Sequence, residues 1–341
     1  CVLEAVRICN IPGPNLSARL YPDAPDDFLD HCLKVIGTGL GYPALMNDEI
    51  NIPALMRYGY SIEDCRNYCM VGCIENFIPG KQPPWSDGRY NAPRCIEYAL
   101  NQGCSFQNGV AYGIETPPAE EINDMQSFMD ALKAQMAFTA SEYMIGFLNE
   151  NSRYNRDNYT QPFLSCFCHD CIGRGLDINQ GGAFYPSAHG ACCMGVGTIA
   201  DSLAAVEWAV FDHKMISLAQ LRDALKNNFQ DNEDLRLKLL SAPKYGNNLE
   251  YVDKYARWYV SFTYELFKQY HTPDGDAVYT AIAANVQNIS SGREVGATPD
   301  GRKSGEPLSG AASPMHGMDK NGPTAVINSV SKPDYTLVGT G

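Results

Sequence analysis

The alternation of long amphipathic segments with short apolar segments is the feature that most constrains the fold of this chain. Apolar residues recur near the 3.6-residue period of a helix in several stretches. We expect helices at 122–136 after Pro117-Pro118, at 218–229 after Ser217 as N-cap, at 249–270, and from Asp201-Ser202 to Val210. The stretch AVYTAIAANVQNI (277–289) has the β-branched and aromatic composition of a strand. Helices that alternate with short apolar segments predict an α/β fold.

The rest of the chain gives few signs of a domain boundary. The sequence contains no repeat, low-complexity tract or Gly/Ser linker, so residues 1–341 are expected to belong to one domain. The tail from Gly292 is predicted to be an ordered loop, because its apolar residues from Val326 to Val338 need a surface to pack on. The first residues read as a helix entered part-way, which indicates a piece of a longer polypeptide.

Charge and cysteine content limit the partners and the compartment. The chain has 26 Lys and Arg against 39 Asp and Glu, a net charge of −13, which argues against nucleic acid or an anionic membrane as a partner. No apolar run approaches the roughly 20 residues that span a bilayer. Thirteen cysteines without a secretion signal indicate free thiols in a reducing cytoplasm.

The loop MVGCIENFIPG contains the first candidate for chemistry. Cys73 and Glu75 are two residues apart, so they point to the same side of an extended segment. Gly72 and Pro79-Gly80 indicate a tight, shaped loop around them. Apolar neighbours would partly desolvate Glu75, which raises a carboxyl pKa and suits an acid or base. The alternative is a buried thiol beside an exposed glutamate.

Two cysteine sets raise the possibility of a metal or iron–sulfur centre. Cys65, Cys69 and Cys73 are evenly spaced, whereas common cluster motifs use shorter, unequal spacings, and Ser61 caps a helix that should end before Gly72. The segment CFCHDC (166–171) lacks a second Cys/His pair at a zinc-site distance. We expect buried thiols in both places, and a Cys-rich metal-binding protein remains the alternative of another class.

Two histidines lie in Gly-rich segments and are further acid–base candidates. His189 is in PSAHG and His316 is in SPMHG. For each, the alternative is a loop histidine with a local hydrogen bond.

Five ordered motifs together resemble the glycyl radical enzymes of the pyruvate formate-lyase-like superfamily. They are VGCIE, GGAFY, ADSLAAVEWAVFD, PKYGN and the tail VGATPDGRKSGEPLSGAASPMHGMDKNGPTAVINSVSK. The resemblance implies a portion of an α/β barrel, in which one loop carries a cysteine and a C-terminal loop carries a radical glycine. The glycine motif R-V-x-G-aromatic does not occur in the sequence. The resemblance therefore implies a central fragment, with the N-terminal half-barrel and the C-terminal glycyl radical domain missing, and inactive on its own.

The resemblance also implies roles for three residues. Cys73 matches the thiyl radical cysteine, and Glu75 matches the general base of the eliminating members. Asp87 matches by its spacing a carboxylate of the glycerol and propanediol dehydratases that helps a hydroxyl leave as water. The alternative for Asp87 is an Asp-Gly turn residue.

The subtype implied is a diol dehydratase-type lyase acting on a small polar molecule that bears a hydroxyl. Gly72 stands where pyruvate formate-lyase has a second cysteine, and Glu75 argues against arylalkylsuccinate synthases. Ser86 favours choline trimethylamine-lyase, the closest alternative, and Asn76 replaces the usual proline of G-C-x-E-P. The resemblance implies no metal or organic cofactor in the chain, a radical S-adenosylmethionine activating enzyme as partner, and a homodimer.

Overall fold

The computed structural model describes residues 1–11, 13, 15–72, 75–83, 86–147, 153–187, 189–284 and 286–340, and the backbone alone at 86, 87, 153 and 155. Its helices are α1 (Val2–Cys9), α2 (Asp26–Val35), α3 (Asp48–Arg57), α4 (Ile62–Arg66), α5 (Arg94–Leu100), α6 (Met125–Gly146), α7 (Arg153–Asn158), α8 (Pro162–Ser165), α9 (Cys171–Arg174), α10 (Val196–Val206), α11 (Leu218–Lys226), α12 (Glu233–Ser241), α13 (Glu250–Phe267), α14 (Gln287–Arg293) and α15 (Pro323–Val330). Its strands are β1 (Ser17–Leu20), β2 (Ala44–Asn47), β3 (Cys69–Val71), β4 (Glu75–Phe77), β5 (Ser86–Tyr90), β6 (His189–Cys193) and β7 (Val278–Ala281).

The strands form three small sheets, of which one carries the α/β architecture. Strands β5, β6 and β7 are parallel and hydrogen-bonded in that order, and helices fill the connections between them. Parallel neighbours need long crossovers of this kind, usually helical. Strands β1 and β2 form a parallel pair, and β3 and β4 form an antiparallel hairpin. The α/β prediction is therefore confirmed.

The core is centred on α10 and α13, which pack against each other. Every residue of α10 is buried, including the polar side chains of Thr198, Asp201 and Ser202. Helix α13 instead buries one side, with Val252, Tyr259 and Phe267 in the core. In the described part of the chain, no helix is both long and apolar enough to cross a bilayer.

Local signals predicted three helices well. The hydroxyl of Ser217 accepts from the backbone N–H of Gln220, and Oε1 of Gln220 accepts from the backbone N–H of Ser217, which makes a complete capping box at the start of α11. Helix α13 matches the expected range at 249–270 closely. Helix α6 begins at Met125 after the cap Asp124 and continues beyond the predicted end at Met136 to Gly146.

Three local predictions were wrong. Asp201 and Ser202 do not begin a helix but lie fully buried inside α10, which starts after Gly195 in a left-handed conformation. Among the described residues of the stretch 277–289, the strand is limited to Val278–Ala281, and α14 begins at Gln287 after a left-handed Val286. The tail contains helix α15, for which Gly322 and a first-turn Pro323 are suitable start residues.

Candidate active site

The hairpin β3–β4 holds Glu75 in a defined position. Gly72 makes the turn with φ of +68°, a conformation that residues other than glycine adopt at a cost. A Cβ atom on Gly72 would lie 3.0 Å from Oε2 of Glu75, so the carboxyl group lies back over the turn. Glu75 is half-buried. Cys73 and Ile74 lie outside the described residues, so the predicted position of the cysteine stays a prediction.

The C-terminal segment, residues 336–340, lies beside β7. The N–H of Gly339 donates to the carbonyl of Thr280 at 2.9 Å, and the carbonyl of Thr340 accepts from Ile282 at 3.0 Å. Tyr58 donates from its hydroxyl to the carbonyl of Leu337 at 2.7 Å. The segment therefore adds an isolated parallel bridge to the edge of the sheet, where Thr340 pairs with Ala281.

Asp87 lies on β5 and not in a turn, so the turn alternative is wrong. Its register partner on β6 is Gly190, and the partner of Gly190 on β7 is Tyr279. Asp87, Gly190 and Tyr279 are thus in line across the sheet, with roughly 10 Å between the outer strands. Gly190 contributes no side chain to the middle of this row. The backbones of Asp87 and Tyr279 therefore lie at the same level of the sheet, on the two strands that flank β6.

A tyrosine cluster packs where β7 approaches the hairpin. The rings of Tyr58 and Tyr279 are 4.5 Å apart, and so are those of Tyr60 and Tyr185. The hydroxyl groups of Tyr60 and Tyr279 are in direct contact in the buried core, together with Ile78 after β4. Burial raises the pKa of Tyr60, so its phenol stays protonated. The cluster forms an aromatic wall on this side, in which Tyr60 and Tyr279 are buried and Tyr58 and Tyr185 are partly buried.

Asp64 joins this wall to the loop that follows the hairpin. Its carboxylate accepts from Tyr185 at 2.7 Å and from Lys81 at 2.6 Å. Desolvation acts to raise the pKa of Asp64, but the hydrogen bonds from Lys81, Tyr185 and Ser61 lower it below its ordinary value. Asp64 therefore stays ionised and holds the loop in place.

His189 is on strand β6. The alternative of a loop histidine is therefore wrong for this residue. It is 1% exposed, its Nε2 is 2.9 Å from the hydroxyl of Tyr143, and Phe147 stacks on its ring at a centroid distance of 3.5 Å. A Cβ on Gly88 would lie 3.0 Å from ring carbons of Tyr143 and closer still to its hydroxyl. The end of α6 thus holds the imidazole through Tyr143 and Phe147, near the start of β6. His316, the other candidate, is exposed in a turn.

The cysteine sets do not form a metal centre in the described part of the chain. Cys65 is buried on α4 and Cys69 is exposed on β3, so the two do not share a helix face. Cys168 and Cys171 are buried, and burial together with the neighbouring Cys171 raises the pKa of Cys168 to about 11. Among the described residues no group of three potential ligands converges.

The motifs ADS, PKYGN and TPDGR prove to be structural, because they meet in one buried polar network. Asp201 accepts from the N–H of Tyr245 at 2.6 Å, and Ser202 donates to Asp300 at 3.4 Å. Arg302 is 3% exposed and donates to the carbonyls of Gly296 and Glu306. Burial raises the pKa of Asp201 to about 8.

The same network anchors the tail. Asn247 accepts from the N–H groups of Lys320 and Asn321 and donates to the carbonyl of Met318. Lys332 is 2.6 Å from the fully buried carboxylate of Asp253. These contacts place the tail over α10 and α13 and lead it to the C-terminal segment.

Sequence reasoning missed Tyr143, Phe147 and the buried amide of Asn76 as parts of this region. Each acts through partners far away in the chain; Asn76, for example, bonds to Gly339, which is 263 residues away. No local motif signals such a contact.

Comparison with known proteins gives consistent results. The family model described as "Pyruvate formate lyase-like" matches residues 1–292, and the model described as "Glycine radical" matches residues 308–339. The chain is 36% identical to the probable dehydratase YbiW of Escherichia coli (strain K12) over 99% of this chain and 43% of that protein. It is 30% identical to the (2S)-3-sulfopropanediol dehydratase of Klebsiella oxytoca over 100% of this chain and 42% of that protein.

Comparison with solved structures gives similarities to the same group of proteins. The glycerol-bound form of the B12-independent glycerol dehydratase from Clostridium butyricum superposes with a TM-score of 0.94 at 37% identity, covering 99% of this chain and 43% of that one. A Roseburia inulinivorans structure concerned with 1,2-propanediol dehydration gives a TM-score of 0.93 at 32% identity, covering 99% and 43% of the two chains. The chain thus spans less than half the length of the curated relatives it matches.

Proposed function

We propose that this chain, which belongs to the pyruvate formate lyase-like family of glycyl radical enzymes, is part of a dehydratase that acts on a small diol. The similarity to a glycerol dehydratase and to a protein of 1,2-propanediol dehydration supports this substrate class. The activity belongs to the full-length polypeptide that carries the chain, with the radical glycine outside these residues.

Three residues carry the proposed reaction. A thiyl radical on Cys73 takes a hydrogen atom from the carbon that bears a hydroxyl group, which leaves a thiol and a carbon radical. Glu75 takes the hydroxyl proton and the radical becomes a ketyl. Asp87 protonates the neighbouring hydroxyl, which leaves as water. The thiol of Cys73 then returns its hydrogen atom to the product radical, and the thiyl radical is regenerated.

The position of Glu75 is the observation that carries this proposal. The half-buried carboxyl group lies over the Gly72 turn, two residues from Cys73 along the chain. A carboxylate in this place can reach a proton on a substrate held at the cysteine, provided that the two side chains share one side of the hairpin.

A radical glycine outside residues 1–341 is the group that we propose supplies the thiyl radical, and the C-terminal segment is the part of the chain beside the cysteine hairpin. The segment lies within hydrogen-bond distance of the hairpin, through Asn76 and Gly339 at 2.9 Å. A glycyl radical would accept the hydrogen atom of the Cys73 thiol, which would leave a glycine and the thiyl radical. We propose that a separate radical S-adenosylmethionine enzyme installs this radical, that the protein forms a homodimer in the cytoplasm, and that no metal or organic cofactor is needed in the chain.

The test uses the full-length polypeptide, activated without oxygen by a radical S-adenosylmethionine enzyme. Glycerol, propane-1,2-diol, choline and isethionate are offered separately, and aldehyde, trimethylamine and sulfite are measured. Cys73→Ala should abolish turnover, whereas Cys69→Ala, an exposed cysteine of the same hairpin, should not. Glu75→Gln should lower turnover by about 100-fold or more, whereas Glu63→Gln at an exposed position should leave it unchanged.

Each result bears on a separate part of the proposal. Aldehyde from a diol supports the dehydratase. Trimethylamine from choline or sulfite from isethionate, without aldehyde from either diol, would replace it by another lyase of the family. Full activity of Cys73→Ala would refute the thiyl mechanism.

A further inference from the structure

Asn76 has a buried side-chain amide that joins two loops. It is 1% exposed on β4, and because side chains alternate along a strand it points away from the face of Glu75 and Phe77. Its Nδ2 donates to the carbonyl of Gly339 at 2.9 Å and to Oδ1 of Asn51 at 3.2 Å. Its own Oδ1 has no partner among the described residues. The fold therefore uses this amide as a donor.

The acceptor is held rigidly from the other side. Gly339 is bonded to β7 through its N–H, and a Cβ atom on Gly339 would lie 2.8 Å from Cβ of Tyr279, so the backbone approaches β7 too closely for any other residue. Its carbonyl faces the hairpin. The bond from Asn76 therefore connects a fixed hairpin to a fixed strand.

We propose that Asn76 is a positioning residue that holds the C-terminal segment at a set distance from the cysteine hairpin. The inference rests on the proposed function, because Cys73 can exchange a hydrogen atom with its reaction partners only when the hairpin is held in one position. Glu75 is adjacent to Asn76 and Cys73 is three residues before it, so a shift of Asn76 moves the hairpin as a unit. A misplacement of about 1 Å can slow an enzyme reaction by about 100-fold.

The first measurement does not depend on enzyme activity. Amide hydrogen exchange of residues 336–340 is compared in the full-length protein and in Asn76→Ala. The control is Asn91→Ala, which also removes a long-range amide bond, from Nδ2 to the carbonyl of Ser291 at 3.1 Å, and whose Oδ1 is likewise without a partner among the described residues. Asn76→Ala should speed exchange in the segment by about 10-fold or more, and Asn91→Ala should not. If residues 336–340 exchange at the same rate in Asn76→Ala and in Asn91→Ala, the positioning role is refuted.

The second measurement is turnover per radical. Spins are counted by electron paramagnetic resonance, and product formation is divided by that count. Asn76→Ala should lose about 10- to 100-fold, Asn76→Gln should recover part of this because it retains the donor, and Asn91→Ala should stay within about twofold. If Asn76→Ala exposes the segment but keeps full turnover per radical, the positioning role in the reaction is wrong.

A result that refutes the proposed function can be distinguished from one that refutes the role of Asn76. Wild-type protein that gains a radical but dehydrates neither diol refutes the substrate class, while the exchange comparison still decides on Asn76. If Asn76→Ala does not fold, Asn76→Gln takes its place: a longer amide at a bond of set length should alter exchange in residues 336–340, and unchanged exchange would overturn the inference.

Discussion

The buried carboxyl group of Asp201 predicts an unusual dependence of stability on pH. Burial raises the pKa of Asp201 to about 8, from an ordinary value near 4. Between about pH 4 and about pH 8 the unfolded chain loses this proton while the folded protein keeps it. The contribution of Asp201 to stability is therefore complete below about pH 4 and declines as the pH rises, by about 1.4 kcal/mol per pH unit. From about pH 5 to about pH 7 the expected loss is about 3 kcal/mol.

Asp201→Asn removes the titration and keeps the acceptor for the N–H of Tyr245. The free energy of unfolding, measured by urea titration followed by circular dichroism, should fall from about pH 5 to about pH 7 in the wild type by about 3 kcal/mol more than in the variant. At about pH 5 the variant should be no more stable than the wild type, because its new amide N–H replaces an Oδ2 atom that has no partner in the described part of the protein. Asp234→Asn at an exposed position is the control. Parallel pH curves for wild type and Asp201→Asn would refute the reasoning.

Three further predictions concern the surroundings of the candidate site. Gly88→Ala should destabilise the protein by about 1–3 kcal/mol, because the new methyl group overlaps Tyr143; unchanged thermal unfolding would contradict the packing. Tyr143→Phe should cost about 1–2 kcal/mol through the lost bond to His189, measured in the same way, and a neutral result would show that the bond contributes nothing. Lys81→Met removes the donor that lowers the pKa of Asp64, so wild type should exceed the variant in stability above about pH 4 and lose this advantage as the pH falls further; an advantage that persists at low pH would contradict the sign.

What the sequence predicted correctly depends on local chemistry. The cap at Ser217 involves residues three apart, and the periodicity of α13 is visible in one window, so both are readable without a fold. The turn at Gly72 is local in the same sense. The resemblance supplied the family, which the comparisons confirm, and it supplied the roles of Cys73, Glu75 and Asp87, which stay predictions.

What the sequence did not predict depends on tertiary contacts. Asp201 has the residue type of a helix cap, and only the approach of the Tyr245 N–H explains why a carboxyl group lies in the middle of a buried helix. His189 lies in a Gly-rich stretch, yet pairing with β5 and β7 makes that stretch a central strand. A single sequence does not contain these pairings in readable form.

The bridge between Thr340 and Ala281 has a consequence for handling the protein. Strand β7 is hydrogen-bonded to β6 along one edge. Its other edge would offer unpaired N–H and C=O groups if Gly339 and Thr340 were removed. Open edges of this kind recruit strands from other molecules. A version truncated before residue 336 should therefore self-associate, and its solubility should depend on two small residues at the margin of the sheet.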